Sequence, residues 1–345
     1  MSSVLHSQAR PLDLHTAAPF GIARWTHSDF SNYVVELRQG GVTGFGEAAP
    51  NLRYGESRDE GMALLAGLAP EIADLEGPAG VEAFCDRLAA DGGAPPAWPA
   101  LRAGLSAAAW DLAGKQAGEP VWRMLGLECP AVATSYTIAI GAPDDMLAQA
   151  RAATAFGTLK IKLGFDGDVE LARKLAGALP ETRFRYDANE GWGRERAAAA
   201  LEVLAGLGAE LVEQPLPAAD ADGMAWLRER TDIPLLADEA VLTIADLDAA
   251  AELYDGVVVK LSKAGGIANA FALVSACAGR GLRVLLGCMV ESSLGIAAGL
   301  QLAGLADYVD LDGALLLAAD PFAGVAVDGD RLAVADAPGL GVTPV

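Results

Sequence analysis

The chain has 345 residues, 52% of them hydrophobic and 21% charged, the makeup of a folded globular protein with room for one large domain or two ordinary ones. Asp and Glu outnumber Lys and Arg by 46 to 25, a net charge of −21, which argues against nucleic acid or an anionic membrane as the main partner. The only histidines are His6, His15 and His27, and no G-x-S-x-G elbow occurs, so zinc-protease and most triad-hydrolase chemistry is excluded. The N-terminal MSSVLHSQARPLDL lacks the apolar core of a leader, and no uncharged apolar run reaches about 18 residues; a cytoplasmic protein is expected. Residues 34–37 alternate like a strand, Gly40-Gly41 turns the chain, and 42–47 leads back as in a β-meander. Helical stretches follow, among them 61–75 and 99–116, with a Gly-Gly and Pro-Pro loop at 91–99 between them. Cys85, Cys129, Cys277 and Cys288 show no C-x-x-C spacing and read as buried thiols in a reducing compartment.

From about residue 130 short apolar runs alternate with helix-length Ala/Leu segments. The expected strands are 134–140, 159–163, 183–187, 211–213, 235–238, 257–261, 284–288 and 308–311. Polar landmarks on the second to sixth of these stand at 160, 187, 213, 238 and 260, steps of 27, 26, 25 and 22, or one β-α unit per step. Eight such strands predict an α/β, TIM-type barrel, whose active site belongs at the strand ends. After the eighth strand little chain remains for a helix, and the tail from about 322 is expected to pack back on the N-terminal region.

The period of two puts Lys160 and Lys162 on one face of their strand. Their counter-charges are Asp187, Glu213 and Asp238, one from each of the next three strands. Three carboxylates without imidazole are hard oxygen ligands suited to Mg²⁺, although Asp187 or Asp238 alone reads equally well as a helix cap. Glu239, next to Asp238, is expected to point the other way and support the site. Lys260 lies on the sixth strand, and Gly265-Gly266 after Lys263 reads as a tight turn. Asp310 and Asp312 share a face at the end of the eighth strand; alone, D-x-D-G reads as a solvated turn. In a ring of eight the second and sixth strands stand opposite, so Lys162 and Lys260 approach the centre from two sides. A substrate with its carboxylate on the metal and its ammonium on Asp310 and Asp312 would present Cα to one lysine on each face, which suits 1,1-proton transfer. A lysine base must be neutral, against an ordinary pKa of about 10.4.

The set K-x-K, D-x-N (Asp187-Ala188-Asn189), V-E-Q-P around Glu213, A-D-E (Ala237 to Glu239) and K-x-x-K-x-G-G resembles the enolase superfamily in its muconate-lactonizing branch. Gly44-Phe45-Gly46-Glu47-Ala48 and AAWDLAG (Ala108 to Gly114) are similar to its capping-domain signatures, so the resemblance covers nearly the whole chain. It implies a modified (β/α)7β barrel over 126–321 and an α+β capping domain over 1–125, completed by the tail 322–345. Gly287-Cys288-Met289 with Glu291-Ser292, and the Asp310/Asp312 pair, resemble the dipeptide epimerases, in which such a pair binds the α-ammonium. Pro19-Phe20 with Arg24 is similar to the first capping loop of the L-Ala-D/L-Glu epimerases, where an arginine meets the glutamate side chain; Arg53 and Tyr54 belong to the second loop. The resemblance thus implies Mg²⁺, catalytic Lys162 and Lys260, substrate contacts from Lys160, Asp310, Asp312 and Arg24, and supporting roles for Asn189, Glu239 and Glu291. A dipeptide is the expected small-molecule partner, with no nucleic acid or membrane; whether the chain forms a homo-oligomer the sequence leaves open. Rival readings are a dipeptide epimerase of other specificity, o-succinylbenzoate synthesis, N-succinylamino acid racemisation or muconate cycloisomerisation. A non-catalytic binding protein is disfavoured because every lysine and metal ligand is in place.

Overall fold

The computed structural model describes residues 4–90 and 98–345, so the loop expected at 91–99 lies outside the described residues up to 97. Strands β1 (His6–Ile22), β2 (Trp25–Gln39) and β3 (Val42–Ala48) form an antiparallel meander, with Gly40 and Gly41 at positive φ in the β2–β3 turn. Tyr33, Val35 and Leu37 alternate onto one face of β2 and are buried against Leu65, Phe84, Leu101 and Leu105. Those residues come from α1 (Arg58–Ile72), α2 (Gly77–Ala90) and α3 (Trp98–Ala117). A Cβ on Gly44 would stand 2.2 Å from Ala108 O, and one on Gly46 2.1 Å from Gly104 O. The G-F-G of β3 is therefore a contact of strand backbone on helix backbone.

After α4 (Val121–Met124) and β4 (Ala131–Ala133) the chain enters the barrel. Its strands are β5 (Tyr136–Ile138), β6 (Thr158–Lys162), β7 (Arg183–Asp187), β8 (Leu211–Glu213), β9 (Leu235–Ala237), β10 (Gly256–Lys260), β11 (Arg283–Gly287) and β12 (Tyr308–Asp310). All are parallel and hydrogen-bonded in chain order. The returns are α5 (Pro143–Ala152), α6 (Asp168–Ala178), α7 (Arg194–Gly206), α8 (Ala221–Arg228), α9 (Leu247–Leu253), the pair α10 (Leu261–Ala264) and α11 (Ile267–Ala278), and α12 (Ser293–Leu300). Only a 3-10 turn, Gly313–Leu316, follows β12. This is the (β/α)7β barrel expected, each strand within two residues of its expected bounds.

The seam between β5 and β12 is closed partly by side chains. Ser135 N–H donates to Val309 O at 3.2 Å, Leu311 N–H to Thr134 Oγ1 at 2.8 Å and Thr137 N–H to Asp312 Oδ2 at 2.6 Å. The tail contributes β13 (Phe322–Ala323), β14 (Val325–Asp328), β15 (Arg331–Val334) and β16 (Thr343–Pro344). β15 pairs with β4, Leu340 N–H donates to Asp111 of α3, and the Phe322 ring meets Phe45 at 6.4 Å. On the other side of α3, a Cβ on Gly266 (φ 108°) would stand 2.3 Å from Ser106 Cβ, so the Gly265-Gly266 turn is a barrel-to-cap contact. Of the four thiols, all free, Cys85 and Cys277 are buried as expected but Cys129 is exposed. No described helix is long and apolar enough to cross a membrane.

Overpacking a backbone contact this close forces the strand off the helix. Gly46→Ala is expected to lower stability by about 1–3 kcal/mol, read from urea unfolding; an unchanged midpoint would mean that β3 and α3 are not so closely apposed.

Candidate active site

Alternation inside the barrel stacks two layers. Leu211, Leu236, Val258 and Leu285, with Tyr308, fill the lower one, and two residues further along the same strands come Glu213, Asp238, Lys260, Gly287 and Asp310. On β6 Lys160 and Lys162 face this upper layer while Leu159 and Ile161 join the core between barrel and helices. Asp187 and Glu213 are direct neighbours in the β7–β8 ladder, whereas the partner of Glu213 on β9 is Leu236, so Asp238 sits one step higher, just past its strand.

The upper layer is a lattice of buried charges. Lys160 Nζ lies 2.7 Å from Glu213, 2.8 Å from Asp310 and 3.3 Å from Asp187. Lys162 donates to Asp187 at 2.6 Å, and Lys260 to Asp238 at 2.7 Å. Burial works against the charged form of Lys160, but Asp310, Glu213 and Asp187 outweigh it and hold its pKa well above the ordinary lysine value. Lys260 is raised likewise, burial being overcome chiefly by Asp238. Burial alone would raise Asp187, yet Lys162 and Lys160 bring it down. Glu213 goes the other way: burial, and then Asp187, push it up to about 8. Neither of its oxygens accepts a well-formed hydrogen bond, although Lys160 stands close by.

As the side chains stand, no three His, Cys, Asp or Glu among the described residues gather round one point, because lysine ammoniums lie between the carboxylates. The donor set nevertheless fits a hard divalent cation. Asp187, Glu213 and Asp238 are buried oxygen donors on consecutive strands, and Glu213 is a buried carboxylate that its own neighbours leave short of partners.

Backbone strain is concentrated here. Asn189, Glu190 and Gln214 have φ of 44°, 64° and 35°, conformations that cost of order 1–3 kcal/mol each for non-glycine residues. Asn189 N–H donates to Asp187 Oδ1 at 2.9 Å, and Gln214 Oε1 accepts from the N–H groups of Asp238 and Ala240 at 3.0 and 3.2 Å. Asn189 thus touches Asp187 through its backbone N–H and Glu239 through its side-chain amide.

Glu239 departs from expectation. β9 ends at Ala237, so strand alternation no longer governs residue 239, and its carboxylate turns into the same cleft as Asp238. There it accepts from Arg24 at 2.8 Å and Asn189 Nδ2 at 3.4 Å. Arg24 also lines the cleft, at the tip of the β1–β2 hairpin, but its guanidinium is engaged: Nη1 donates to Asn189 O at 2.7 Å and Glu190 at 2.9 Å, and Nη2 to Glu239. Arg53 donates twice to the same Glu190 at 3.0 Å. Glu190, which the sequence reading passed over, therefore joins both capping loops to the barrel; its only signal was its place directly after D-x-N.

Glu47, quoted only as part of a signature, is a second such joint. Its buried carboxylate accepts from Asn32 Nδ2 at 2.7 Å and from Ser292 and Gly295 N–H at the start of α12. Burial and Glu291 push it up to about 8. Glu291 accepts from Ser262 Oγ at 3.0 Å and from Met289 N–H at 3.1 Å, and so shapes the segment that carries Cys288 and Met289 into the cleft.

The cleft itself has a volume of about 610 Å³. Lys160, Lys162, Lys260, Asp238, Asp310 and Asp312 form its floor, and Phe20, Trp25, His27, Phe30 and Tyr54 of the cap form its roof, with His27 stacked on Trp25 at 4.8 Å. Asp310 is held by Ser135 and Lys160, while burial, and then Asp310, push Asp312 up to about 7.

Residues 145–345 match the enolase C-terminal domain-like family, and residues 8–126 the N-terminal domain of mandelate racemase / muconate lactonizing enzyme. The chain belongs to the enolase superfamily. This superfamily member is 35% identical over 337 residues, 95% of either chain, to the L-Ala-D/L-amino acid epimerase of Pedosphaera parvula. It superposes on the substrate-liganded L-Ala-D/L-Glu epimerase of Bacillus subtilis with a TM-score of 0.92 at 29% identity, over 99% of both chains. The dipeptide epimerase of Methylococcus capsulatus, complexed with Mg and L-Arg-D-Lys, superposes with a TM-score of 0.89 at 31% identity, again over 99% of both.

Under the roof, Glu56 accepts N–H groups of Asn51 and Ala100 at 2.9 and 2.8 Å, and burial raises its carboxyl from 4.5 to about 7. A carboxyl raised in the folded state adds stability that is complete below the unfolded value near 4.5 and is lost as the pH climbs through about 7. Glu56→Gln is expected to gain on the parent protein in urea midpoint between roughly pH 5 and pH 8. A difference that stays constant across that range would contradict the assignment.

Proposed function

We propose that the chain is a Mg²⁺-dependent dipeptide epimerase that inverts Cα of the substrate's C-terminal residue by a two-base proton transfer, with L-Ala-D/L-Glu the first substrate to test. The observation that carries this reading is the pair Lys162 and Lys260. They stand on strands four apart in the barrel order, each held by its own carboxylate, and both line one cleft. A carbon acid between two such groups loses its proton to the neutral lysine on one face and gains one from the charged lysine on the other. Exchange with water then resets the two lysines for the next turnover.

The other residues fix the substrate's direction. Lys160 brings positive charge to the end of the cleft where the substrate carboxylate lies, beside Asp187 and Glu213. Asp312 and Asp310, at the end of β12, take the α-ammonium, whose charge favours the ionised form of Asp312. Arg24 would meet an acidic side chain by exchanging Glu190 or Glu239 for it. Asp187, Glu213 and Asp238 would hold the cation. A bound Mg²⁺ supplies Lewis-acid charge against the substrate carboxylate as negative charge develops there. The named activities of the relatives support the reading, since they are epimerases of dipeptides or of L-Ala-D/L-amino acids.

A dipeptide library incubated in D₂O with Mg²⁺ and read by mass spectrometry is expected to gain deuterium at Cα of the C-terminal residue; no exchange with any dipeptide would sink the proposal. Lys162→Ala and Lys260→Ala should each cut epimerisation at least about a thousandfold. Each should still leave exchange into one antipode by the lysine that remains, and full epimerisation in either would refute the two-base scheme. Asp312→Asn is expected to cripple dipeptide turnover, whereas unimpaired racemisation of an N-succinylamino acid would favour a same-branch rival that needs no ammonium pocket.

A further inference from the structure

Lys263 has no part in the chemistry above, yet its side chain is 2% exposed. Its ammonium lies 2.6 Å from Asp238 O, 2.5 Å from Asp238 Oδ1, 3.2 Å from Val258 O and 3.3 Å from Val241 O. The other oxygen of Asp238, Oδ2, receives Lys260 at 2.7 Å. Two lysines three residues apart, across the start of α10, thus divide one carboxylate between them. Lys260 lines the cleft and Lys263 does not, so Oδ2 is the cleft-side oxygen and Oδ1 the one turned into the protein. The backbone at Asp238 is fixed independently, through its N–H on Gln214.

We propose that Lys263 is a positioning residue that limits Asp238 to a single coordinating oxygen, and thereby tunes the carboxylate centre for Mg²⁺ against Ca²⁺. This rests on the reading of Asp187, Glu213 and Asp238 as ligands of a divalent cation. Mg²⁺ keeps an octahedral shell of about six oxygens at short range, for which one-oxygen carboxylates suffice. Ca²⁺ accepts six to eight and readily takes both oxygens of one carboxylate. With Oδ1 committed to a buried ammonium, only Oδ2 is available for exchange between Lys260 and a cation. Removing the ammonium frees a further donor that the larger ion uses better. It also adds negative charge, which favours both ions, so the diagnostic quantity is the ratio of affinities and not either one alone.

The experiment titrates metal-free protein, with calorimetry as readout, using Mg²⁺ and Ca²⁺ separately, for the parent chain, Lys263→Met and Lys263→Gln. Near-UV circular dichroism confirms that each is folded. The Met variant is expected to shift the affinity ratio toward Ca²⁺ by about 10-fold or more, with the Gln variant, which retains uncharged donors, falling between. Parallel losses for both ions, the mark of a merely structural role, overturn the inference, as does an unaltered ratio. A crystal structure of the parent chain with Mg²⁺ decides independently of any variant: Asp238 bound through one oxygen, with Lys263 on the other, is expected, and two-oxygen coordination overturns the inference alone. No cation bound at the three carboxylates in the parent would instead bring down the metal reading itself.

Discussion

Everything at the top of the barrel depends on Lys160, an ammonium removed from water and held by three carboxylates from β7, β8 and β12. Isolated, any of these charges would be intolerable at that depth; removing one member of a buried pair typically costs about 3–5 kcal/mol because the other is left uncompensated. The lattice survives because it is built in alternating signs, Lys162 on Asp187 and Lys260 on Asp238 continuing the pattern to either side. It is not fully balanced, however. Glu213, pushed up to about 8 first by burial and then by Asp187, is the member whose charge the lattice compensates least.

The rest of the architecture keeps this lattice dry and in place. The capping sheet reaches it at two joints: Glu190 collects Arg24 and Arg53 from the two capping loops, and Glu47 takes the N–H groups at the start of α12. α3 is the beam between them, packed so closely against β3 and against the turn after α10 that glycine is required on both sides. Strained residues at 189, 190 and 214 lie next to Asp187 and Asp238, which Asn189 and Gln214 engage by hydrogen bonds, and this is where a fold can store strain to functional effect.

Period and charge type made most of this legible. The eight strands were readable because each carries a short apolar run at a regular step, and Lys160, Lys162, Asp187, Glu213, Asp238 and Lys260 because charged residues at strand ends have few other reasons to recur in that rhythm. Strand β1 was not, since Pro11, Pro19 and several polar residues break its alternation. Glu239 was misread because the rule of two stops where the strand stops. The partners of Arg24 and Glu47 lay out of reach for a different reason: they stand 215 and 245 residues away, at Glu239 and Ser292, and only the folded chain brings them together. Lys263 was visible within K-x-x-K, but its burial beneath Asp238 follows from the turn into α10 and leaves no trace in spacing.

The seam of the barrel bears on how this fold can change. Where β5 meets β12, a side-chain carboxylate, that of Asp312, takes a hydrogen bond from Thr137 N–H that a neighbouring strand's carbonyl would otherwise take. That residue also lies on the floor of the cleft, so one group serves as a piece of secondary structure and as part of the cleft lining. Selection acting on what the cleft accepts at that end acts at once on the closure of the cylinder. Drift in ligand preference is therefore less constrained at the roof, where Phe20, Trp25 and Phe30 sit on a hairpin and hold no barrel strand together.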